Sequence, residues 1–202
     1  MIGIIDYGMG NLRSVQNALK KIGQECLISG NPDVLESCDK LILPGVGAFG
    51  DCMANIRERG LEEPVRKMVS EGKPMLGICL GMQMLFEESE EKGLTRGFGF
   101  MKGRVIRMNT DLPVPEIGWN LLEWNQENEL KSRLSDQPFV YYVHSYYAAD
   151  YDDRDLAAYS MYGDIKVPGI VIHGSVAGCQ FHPEKSAEDG LAILRWFAEV
   201  FE

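Results

Sequence analysis

The sequence predicts an α/β fold: a mostly parallel central sheet with helices on both faces and an antiparallel extension. Three observations predict it. Short apolar runs alternate with amphipathic segments through the first half of the chain. In the second half, apolar runs follow one another with few helical patterns between them. The 202 residues contain no internal repeat, low-complexity tract or linker, so we expect a single domain covering residues 1–202.

The first half is expected to contain four strands and four helical segments. The predicted strands are Ile2 to Asp6, Glu25 to Ser29, Leu41 to Leu43 and Met75 to Ile78. The predicted helices are Leu12 to Ile22, Cys52 to Arg59, Leu61 to Glu71, and a segment from Cys79 through Phe86. Asn11 is a good N-cap for the first of these helices, and Gly23 stands where a C-terminal cap is expected.

The second half is expected to be rich in strands. The predicted strands are Val105-Ile106, Trp119 to Leu122, Val140 to Val143, Ile170 to Ile172 and Gly178 to Phe181. A closing helix is predicted from about Ala187 to Phe201.

Composition excludes several classes of function. The net charge is −10 and there is no basic stripe, so binding to nucleic acid or to an anionic membrane is disfavoured. The five cysteines form no C-x-x-C pair, and no two histidines have a metal-binding spacing, so we expect neither a metal nor a cofactor. The chain shows no signal peptide and no membrane span, which predicts a cytoplasmic protein with free thiols.

A candidate nucleophile lies where a strand is predicted to meet a helix. The segment Gly77-Ile78-Cys79-Leu80-Gly81 has the form G-x-C-x-G, the thiol version of a nucleophile elbow. Small neighbours permit the sharp turn, and free N–H groups at the helix N-terminus favour a thiolate at Cys79. The Leu80 N–H is then placed to help hold an oxyanion. A buried structural cysteine is the alternative, and it suits the other four cysteines better.

A cysteine nucleophile needs a base, and only three histidines exist. His182 is the best candidate because it follows an apolar strand and is two residues from Glu184. In extended conformation the two side chains share one side, so Glu184 can orient the imidazole. Pro183 favours that conformation at His182. His173 is interpreted as an ordinary surface or core residue, and His144 as close to the site but without a carboxylate at suitable spacing.

A second loop is rich in glycine. Pro44 to Gly50 follows a predicted strand, and its three glycines allow backbone N–H groups to approach a ligand closely. The loop does not match a phosphate-binding P-loop. Beside a cysteine elbow it is expected to supply a second oxyanion donor, the N–H of Val46 or of Gly47. An ordinary glycine-rich turn is the alternative.

Several motifs together resemble the class I glutamine amidotransferases. The two most specific blocks are Gly77-Ile78-Cys79-Leu80-Gly81-Met82-Gln83 and Gln180-Phe181-His182-Pro183-Glu184-Lys185-Ser186. Four further blocks are Asp6 to Asn11, Pro44 to Gly50, Ile117 to Asn120 and His144 to Tyr146. The whole set looks like the glutaminase subunits of imidazole glycerol phosphate synthases, and the resemblance covers nearly the whole chain.

The resemblance implies a reaction and a partner. Cys79 would attack the side-chain amide of glutamine, and His182 would protonate the departing ammonia and then activate water against a thioester. The residues implied to bind glutamine are Gln83, Glu91, Ser145 and Tyr146. A β/α-barrel cyclase subunit would form a heterodimer over this site and receive the ammonia. The residues implied to lie at or near that interface are Asn11, Trp119, Tyr142 and Lys185.

Two departures from the family leave a second hypothesis open about which enzyme receives the ammonia. Glu116-Ile117 replaces the usual His-Met, and the stretch from Ala148 to Ala177 matches poorly. A paralogue that feeds ammonia to another synthase, such as a sugar-aminating enzyme, is therefore a competing hypothesis.

Two hypotheses from different functional classes also compete. The first is a non-catalytic subunit on the same fold, and the intact Cys79, His182 and Glu184 argue against it. The second is a cysteine peptidase or γ-glutamyl hydrolase, which the elbow and the histidine permit and against which Gln83 argues.

Overall fold

The computed structural model describes residues 1–202. The strands are β1 (Ile2–Ile5), β2 (Cys26–Ser29), β3 (Lys40–Gly45), β4 (Met75–Cys79), β5 (Phe86–Ser89), β6 (Thr95–Arg96), β7 (Met101–Arg107), β8 (Glu116–Leu121), β9 (Glu123–Trp124), β10 (Phe139–His144), β11 (Tyr146–Ala149), β12 (Leu156–Tyr162), β13 (Ile165–His173) and β14 (Val176–Cys179). The helices are α1 (Leu12–Lys21), α2 (Pro32–Glu36), α3 (Phe49–Glu58), α4 (Glu62–Ser70), α5 (Leu80–Gln83) and α6 (Ala187–Glu199). Three short 3-10 helices span Glu129–Arg133, Asp153–Asp155 and Pro183–Lys185.

The central sheet has eight strands in the order β2-β1-β3-β4-β14-β13-β12-β9. The strands from β2 to β14 are mutually parallel, and β13, β12 and β9 join antiparallel. A four-stranded sheet (β11-β7-β5-β6) and a two-stranded ribbon (β10-β8) complete the fold. The predicted α/β architecture with an antiparallel extension is therefore confirmed, and the divergent stretch 148–177 contributes β12 and β13 to the main sheet.

Both faces of the sheet are covered, because successive strand residues point to opposite sides. In the strands near the sheet centre, Ile4, Ile42 and Leu76 pack with α1 and α6, whereas Ile5 and Leu41 pack with α2, α3 and α4. All five of these side chains are buried. The sheet is therefore packed between two apolar cores, and the loops at its edge extend from strands that are buried on both faces.

The carboxyl ends of three neighbouring parallel strands meet at one edge. Strand β4 pairs with β3 on one side, in the register Gly45 opposite Cys79, and with β14 on the other, in the register Cys179 opposite Ile78. The glycine-rich loop after β3, the elbow after β4 and the segment containing His182 after β14 therefore converge. Ligands of open α/β sheets bind at such an edge.

The helix predicted from Cys79 through Phe86 is wrong in length, since α5 ends at Gln83 and Phe86 begins β5. The carbonyls of Met84 and Leu85 accept hydrogen bonds from Phe98 and Phe100. These long-range bonds replace the local helical ones. Helix α2 was not predicted, although Asn31 caps it by accepting from the Asp33 N–H at 2.9 Å and Pro32 opens it.

No helix is both long and apolar enough to cross a membrane.

Candidate active site

The elbow at Cys79 is strained and is held by close packing. Cys79 has φ 55° and ψ −112°, a conformation that costs a non-glycine residue about 1–3 kcal/mol. The first turn of α5 passes directly over β3, and a Cβ added at Gly81 would lie 1.8 Å from the Leu43 carbonyl oxygen. A Cβ at Gly77 would lie 2.7 Å from the backbone of Gly81. The G-x-C-x-G pattern is therefore a steric requirement of this turn.

Cys79 lies at the floor of a cavity of about 390 Å³. Its side chain is largely buried, and Sγ is 3.9 Å from both the Val143 carbonyl oxygen and Gln180 Nε2. The Leu80 N–H stands at the first position of α5, where a helix offers no carbonyl partner. The cavity lining is Asn11, Val46, Gly47, Cys79, Leu80, Gln83, Glu91, Pro115, Val143, His144, Ser145, Tyr146, His182 and Lys185.

His182 and Glu184 form a buried pair beside Cys79. Glu184 Oε1 is 2.8 Å from His182 Nδ1, and the two side chains are 1% and 4% exposed. Burial lowers the pKa of His182, but hydrogen bonds to Cys79 and Glu184 and their negative charges outweigh it and raise that pKa to about 9. The imidazole therefore holds its proton readily, with Nδ1 on Glu184 and Nε2 directed at the Cys79 thiol.

The structure confirms the pairing of His182 with Glu184 but corrects its geometry. His182 is extended, as Pro183 predicts, with φ −98° and ψ 97°. Glu184 lies in the 3-10 helix Pro183–Lys185 and not in a continuing strand. The turn is clamped by Ser186, whose hydroxyl donates to the His182 carbonyl at 2.7 Å and accepts from the Tyr141 N–H at 3.0 Å. Sequence reasoning missed Ser186, although it belongs to the quoted motif.

The glycine-rich loop borders the cavity opposite the imidazole. Gly47 has φ +97°, a conformation that favours glycine, and neither the Val46 nor the Gly47 N–H is engaged in a hydrogen bond. The Val46 side chain is exposed, while its carbonyl accepts from Cys52 Sγ at 3.3 Å. Both residues thus offer unpaired donors at the cavity wall.

Polar groups meet at the other end of the cavity. Gln83 Nε2 donates to the Tyr146 carbonyl at 2.8 Å and to Gln180 Oε1 at 3.0 Å. Glu91 Oε2 accepts from the Phe49 N–H at 2.7 Å and presents a carboxylate to the cavity. Gln180 was not singled out from the sequence, yet it is fully buried and links Gln83 to Cys79.

The surface around the cavity mouth carries exposed aromatic and apolar groups. Trp119 is 51% exposed and packs edge-on against Tyr141, with ring centroids 6.0 Å apart. Lys185 Nζ lies 6.0 Å from the Tyr141 ring centroid, and both Asn11 and Lys185 line the cavity.

Tyr142, which the resemblance places at or near the partner interface, has a buried side chain in this structure. It is fully buried, and its hydroxyl lies 2.9 Å from the Ser160 hydroxyl. Burial raises its pKa well above the ordinary range. Alternation along β10 explains this burial, because Val140, Tyr142 and His144 face inward while Tyr141 is partly exposed. Tyr141 is the tyrosine that stands with Trp119 and Lys185.

The remaining histidines and acidic groups form no metal centre. His173 is exposed and pairs with Asp155 at 2.9 Å, in agreement with its interpretation as an ordinary residue. No group of three or more His, Cys, Asp or Glu side chains is arranged to hold a metal ion. His144 does have a carboxylate partner, Glu116, whose Oε2 lies 3.1 Å from His144 Nε2.

A cysteine on a strained elbow, a histidine oriented by a buried carboxylate and unpaired backbone donors can together carry out nucleophilic acyl transfer. The family model for glutamine amidotransferase class-I matches residues 3–200 of the chain. The chain belongs to the class I glutamine amidotransferases, and is thus an amidotransferase enzyme.

The chain is similar to named proteins and to a solved structure. The chain is 49% identical to "Imidazole glycerol phosphate synthase subunit HisH" of a Geobacillus species, covering 100% of this chain and 98% of the relative. It is 47% identical to the subunit of the same name from Bacillus velezensis, covering 99% and 96%. Among solved structures, a "glutamine amidotransferase" crystal structure aligns with a TM-score of 0.77 at 26% identity, covering 98% of this chain and 97% of that one.

Proposed function

We propose that this chain is the glutaminase subunit of an imidazole glycerol phosphate synthase, and that residues 1–202 act as one glutamine amidotransferase domain in histidine biosynthesis. The observation that carries the chemistry is the buried Cys79, His182 and Glu184 constellation at the sheet edge. The assignment to histidine biosynthesis is supported by 46–49% identity to relatives named as this subunit. Free thiols at all five cysteines suit a reducing cytoplasm.

The reaction begins with the thiol. Cys79 gives its proton to His182 Nε2, and the resulting thiolate Sγ attacks the side-chain carbonyl carbon of glutamine. The oxyanion of the tetrahedral intermediate accepts hydrogen bonds from the Leu80 N–H and from the Val46 or Gly47 N–H. Each such donor accounts for about 10²–10³ in rate in comparable sites. His182 then returns its proton to the leaving amine, and ammonia departs from a glutamyl thioester.

The second half of the reaction hydrolyses the thioester and regenerates the thiol. His182 removes a proton from water, whose oxygen attacks the thioester carbon. Collapse of the second tetrahedral intermediate breaks the C–S bond, returns the proton to Cys79 and releases glutamate. Glu184 stays ionised throughout, holding the Nδ1–H of His182 and stabilising its imidazolium form.

Glutamine binding uses the far end of the cavity. The Glu91 carboxylate pairs with the α-ammonium group of the substrate, and Gln83 with the Ser145 and Tyr146 backbone holds the rest of the molecule. These assignments are supported by the position of all four residues on the cavity wall.

The partner is a β/α-barrel cyclase subunit that docks over the cavity mouth as a heterodimer. Asn11, Trp119 and Lys185, together with Tyr141, form the surface next to the mouth. Exposed aromatic side chains beside a functional cavity are typical of binding hot spots. Ammonia released at Cys79 then passes to the cyclase without entering solvent.

The test is glutamate release from glutamine by the chain alone and with the cyclase and its nucleotide ligand. We expect strong stimulation by the loaded partner, which disappears in Cys79→Ala and falls by at least about a hundredfold in His182→Ala. Cys26→Ala and His173→Ala are matched controls outside the cavity and keep wild-type rates. Activity that survives Cys79→Ala would refute the mechanism, and activity without stimulation would refute the partner.

A further inference from the structure

Glu116 is a buried carboxylate outside the catalytic constellation. It begins β8 and stands directly opposite His144 of β10 in the antiparallel ribbon. Its side chain is only 4% exposed, and that of His144 only 3%. Oε1 accepts from Asn120 Nδ2 at 3.0 Å, and Oε2 lies 3.1 Å from His144 Nε2. Burying a carboxylate is costly, so this one has to be compensated by its two partners.

The polar contacts of His144 hold its imidazole ring in place. Nδ1 is 2.9 Å from the Tyr146 carbonyl oxygen, which can only accept, so Nδ1 carries a hydrogen. His144 Nε2 and Glu116 Oε2 lie 3.1 Å apart, at ion-pairing distance, and neither atom has a hydrogen-bond partner. The imidazole is thereby held at both nitrogens.

His144 acts on a group of the substrate cavity. The Tyr146 carbonyl receives two donors, His144 Nδ1 and Gln83 Nε2. Gln83 in turn bonds to Gln180, whose amide lies 3.9 Å from Cys79 Sγ. A continuous buried chain of polar contacts therefore leads from Glu116 to the nucleophile. His144, Tyr146 and Gln83 line the cavity, whereas Glu116 does not.

We propose that Glu116 is a positioning residue for glutamine: by holding His144, it fixes the Tyr146 carbonyl and the backbone of Ser145–Tyr146 against which the substrate binds. The inference rests on the proposed function, since it assigns a role within the glutamine site. It also gives a role to Glu116, which belongs to one of the two departures from the family noted in the sequence.

The test compares three substitutions at Glu116 in the complex with the cyclase. Glu116→Gln keeps a polar group at both places, because its amide oxygen can accept from Asn120 and its NH₂ can contact His144 Nε2. Glu116→Ala and Glu116→Met remove the only polar group that contacts His144 Nε2. Unpaired buried groups cost enough that we expect about a tenfold rise in the KM for glutamine in both, with kcat changed less than about twofold. Glu123→Ala, an exposed carboxylate change on β9, is the matched control.

A second readout needs neither turnover nor partner. A chloroketone analogue of glutamine alkylates a thiol only after binding in the glutamine site, whereas iodoacetamide reports the thiol alone. We expect the ratio of the two Cys79 labelling rates to fall about tenfold in Glu116→Ala and Glu116→Met, and to hold within about threefold in Glu116→Gln. Glu116→Met fills the space of the native side chain, so it serves if Glu116→Ala does not fold.

The outcomes distinguish a failure of the positioning role of Glu116 from a failure of the proposed glutamine site. Wild-type KM and labelling ratio in a folded Glu116→Ala or Glu116→Met variant would overturn the positioning role, as would an equal loss in Glu116→Gln. If the wild-type protein itself is labelled no faster by the glutamine-shaped reagent than by iodoacetamide, the proposed glutamine site falls and this inference falls with it.

Discussion

Glu184→Gln tests the electrostatics of the imidazole that the mechanism uses. The substitution keeps an oxygen that can accept from His182 Nδ1 at the same place, and removes only the negative charge. In the wild-type protein the pKa of His182 is raised to about 9 against the burial that lowers it, by hydrogen bonds and charge from Cys79 and Glu184. Removing one of the two charges should bring that pKa down toward its ordinary value.

The size of the effect on the free energy of unfolding follows from the shift in the pKa of His182. A rise from the ordinary 6.5 to about 9 corresponds to about 3 kcal/mol at ~1.4 kcal/mol per pKa unit. Because the folded-state pKa of His182 is the higher one, this stabilisation is fully present below pH 6.5 and is lost as the pH rises through about 9. Glu184→Gln should therefore destabilise the protein below pH 6.5 and have a much smaller effect above pH 9.

Two measurements check the expected changes in the pKa of His182 and in the pH dependence of stability. NMR titration of the three histidine side chains, with the His182 signal assigned by its loss in His182→Gln, should show the His182 pKa falling in Glu184→Gln. The free energy of unfolding in urea at about pH 6 and about pH 10 should fall less with pH in the variant than in the wild-type protein. A wild-type His182 that titrates near 6.5, or a titration unchanged by the substitution, would refute the reasoning.

Three further predictions follow from the site. Gly81→Ala places a Cβ 1.8 Å from the Leu43 carbonyl oxygen, so we expect a loss of about 3 kcal/mol or more in the free energy of unfolding, measured by thermal melting. Trp119→Ala should weaken cyclase binding by about 30-fold or more in a titration while leaving the melting temperature unchanged. Ser186→Ala breaks the clamp on the His182 turn and should lower kcat for stimulated glutamate release by about tenfold.

Each of these has a matched control. Gly50→Ala lies within α3 with only the Thr95 hydroxyl near its added Cβ, at 3.3 Å, and should stay within about 1 kcal/mol of wild type. Leu94→Ala removes a side chain that is 73% exposed in the turn between β5 and β6, and should not change cyclase binding. Ser132→Ala removes a hydroxyl that bonds only to the Glu129 carbonyl, and should keep the wild-type kcat.

The fold and the position of the nucleophile could be predicted because both depend on local patterns. Apolar runs of strand length predict the parallel sheet, and the glycines around Cys79 indicate the elbow because the turn is sterically crowded. The pairing of His182 with Glu184 was predictable from their spacing, although the path was not: hydrogen bonds to Ser186 turn the chain into a 3-10 helix where extension was expected.

What the sequence could not indicate depends on long-range contacts. The partner of Glu116 is His144, which lies far along the chain and becomes its neighbour only through the β8-β10 register. The helix after Cys79 ends early because distant N–H groups take the carbonyls of Met84 and Leu85. Tyr142, expected at or near the partner interface, has its side chain in the core, because alternate residues of β10 face inward.

The central claim is that Cys79 supplies ammonia to a separate synthase site. Its most direct test is product formation by the complex of Cys79→Ala with the cyclase, supplied either with glutamine or with a high concentration of ammonium. The account predicts that the variant complex loses glutamine-dependent synthesis and keeps ammonium-dependent synthesis at the wild-type rate. Glutamine-dependent synthesis that survives the substitution would contradict it.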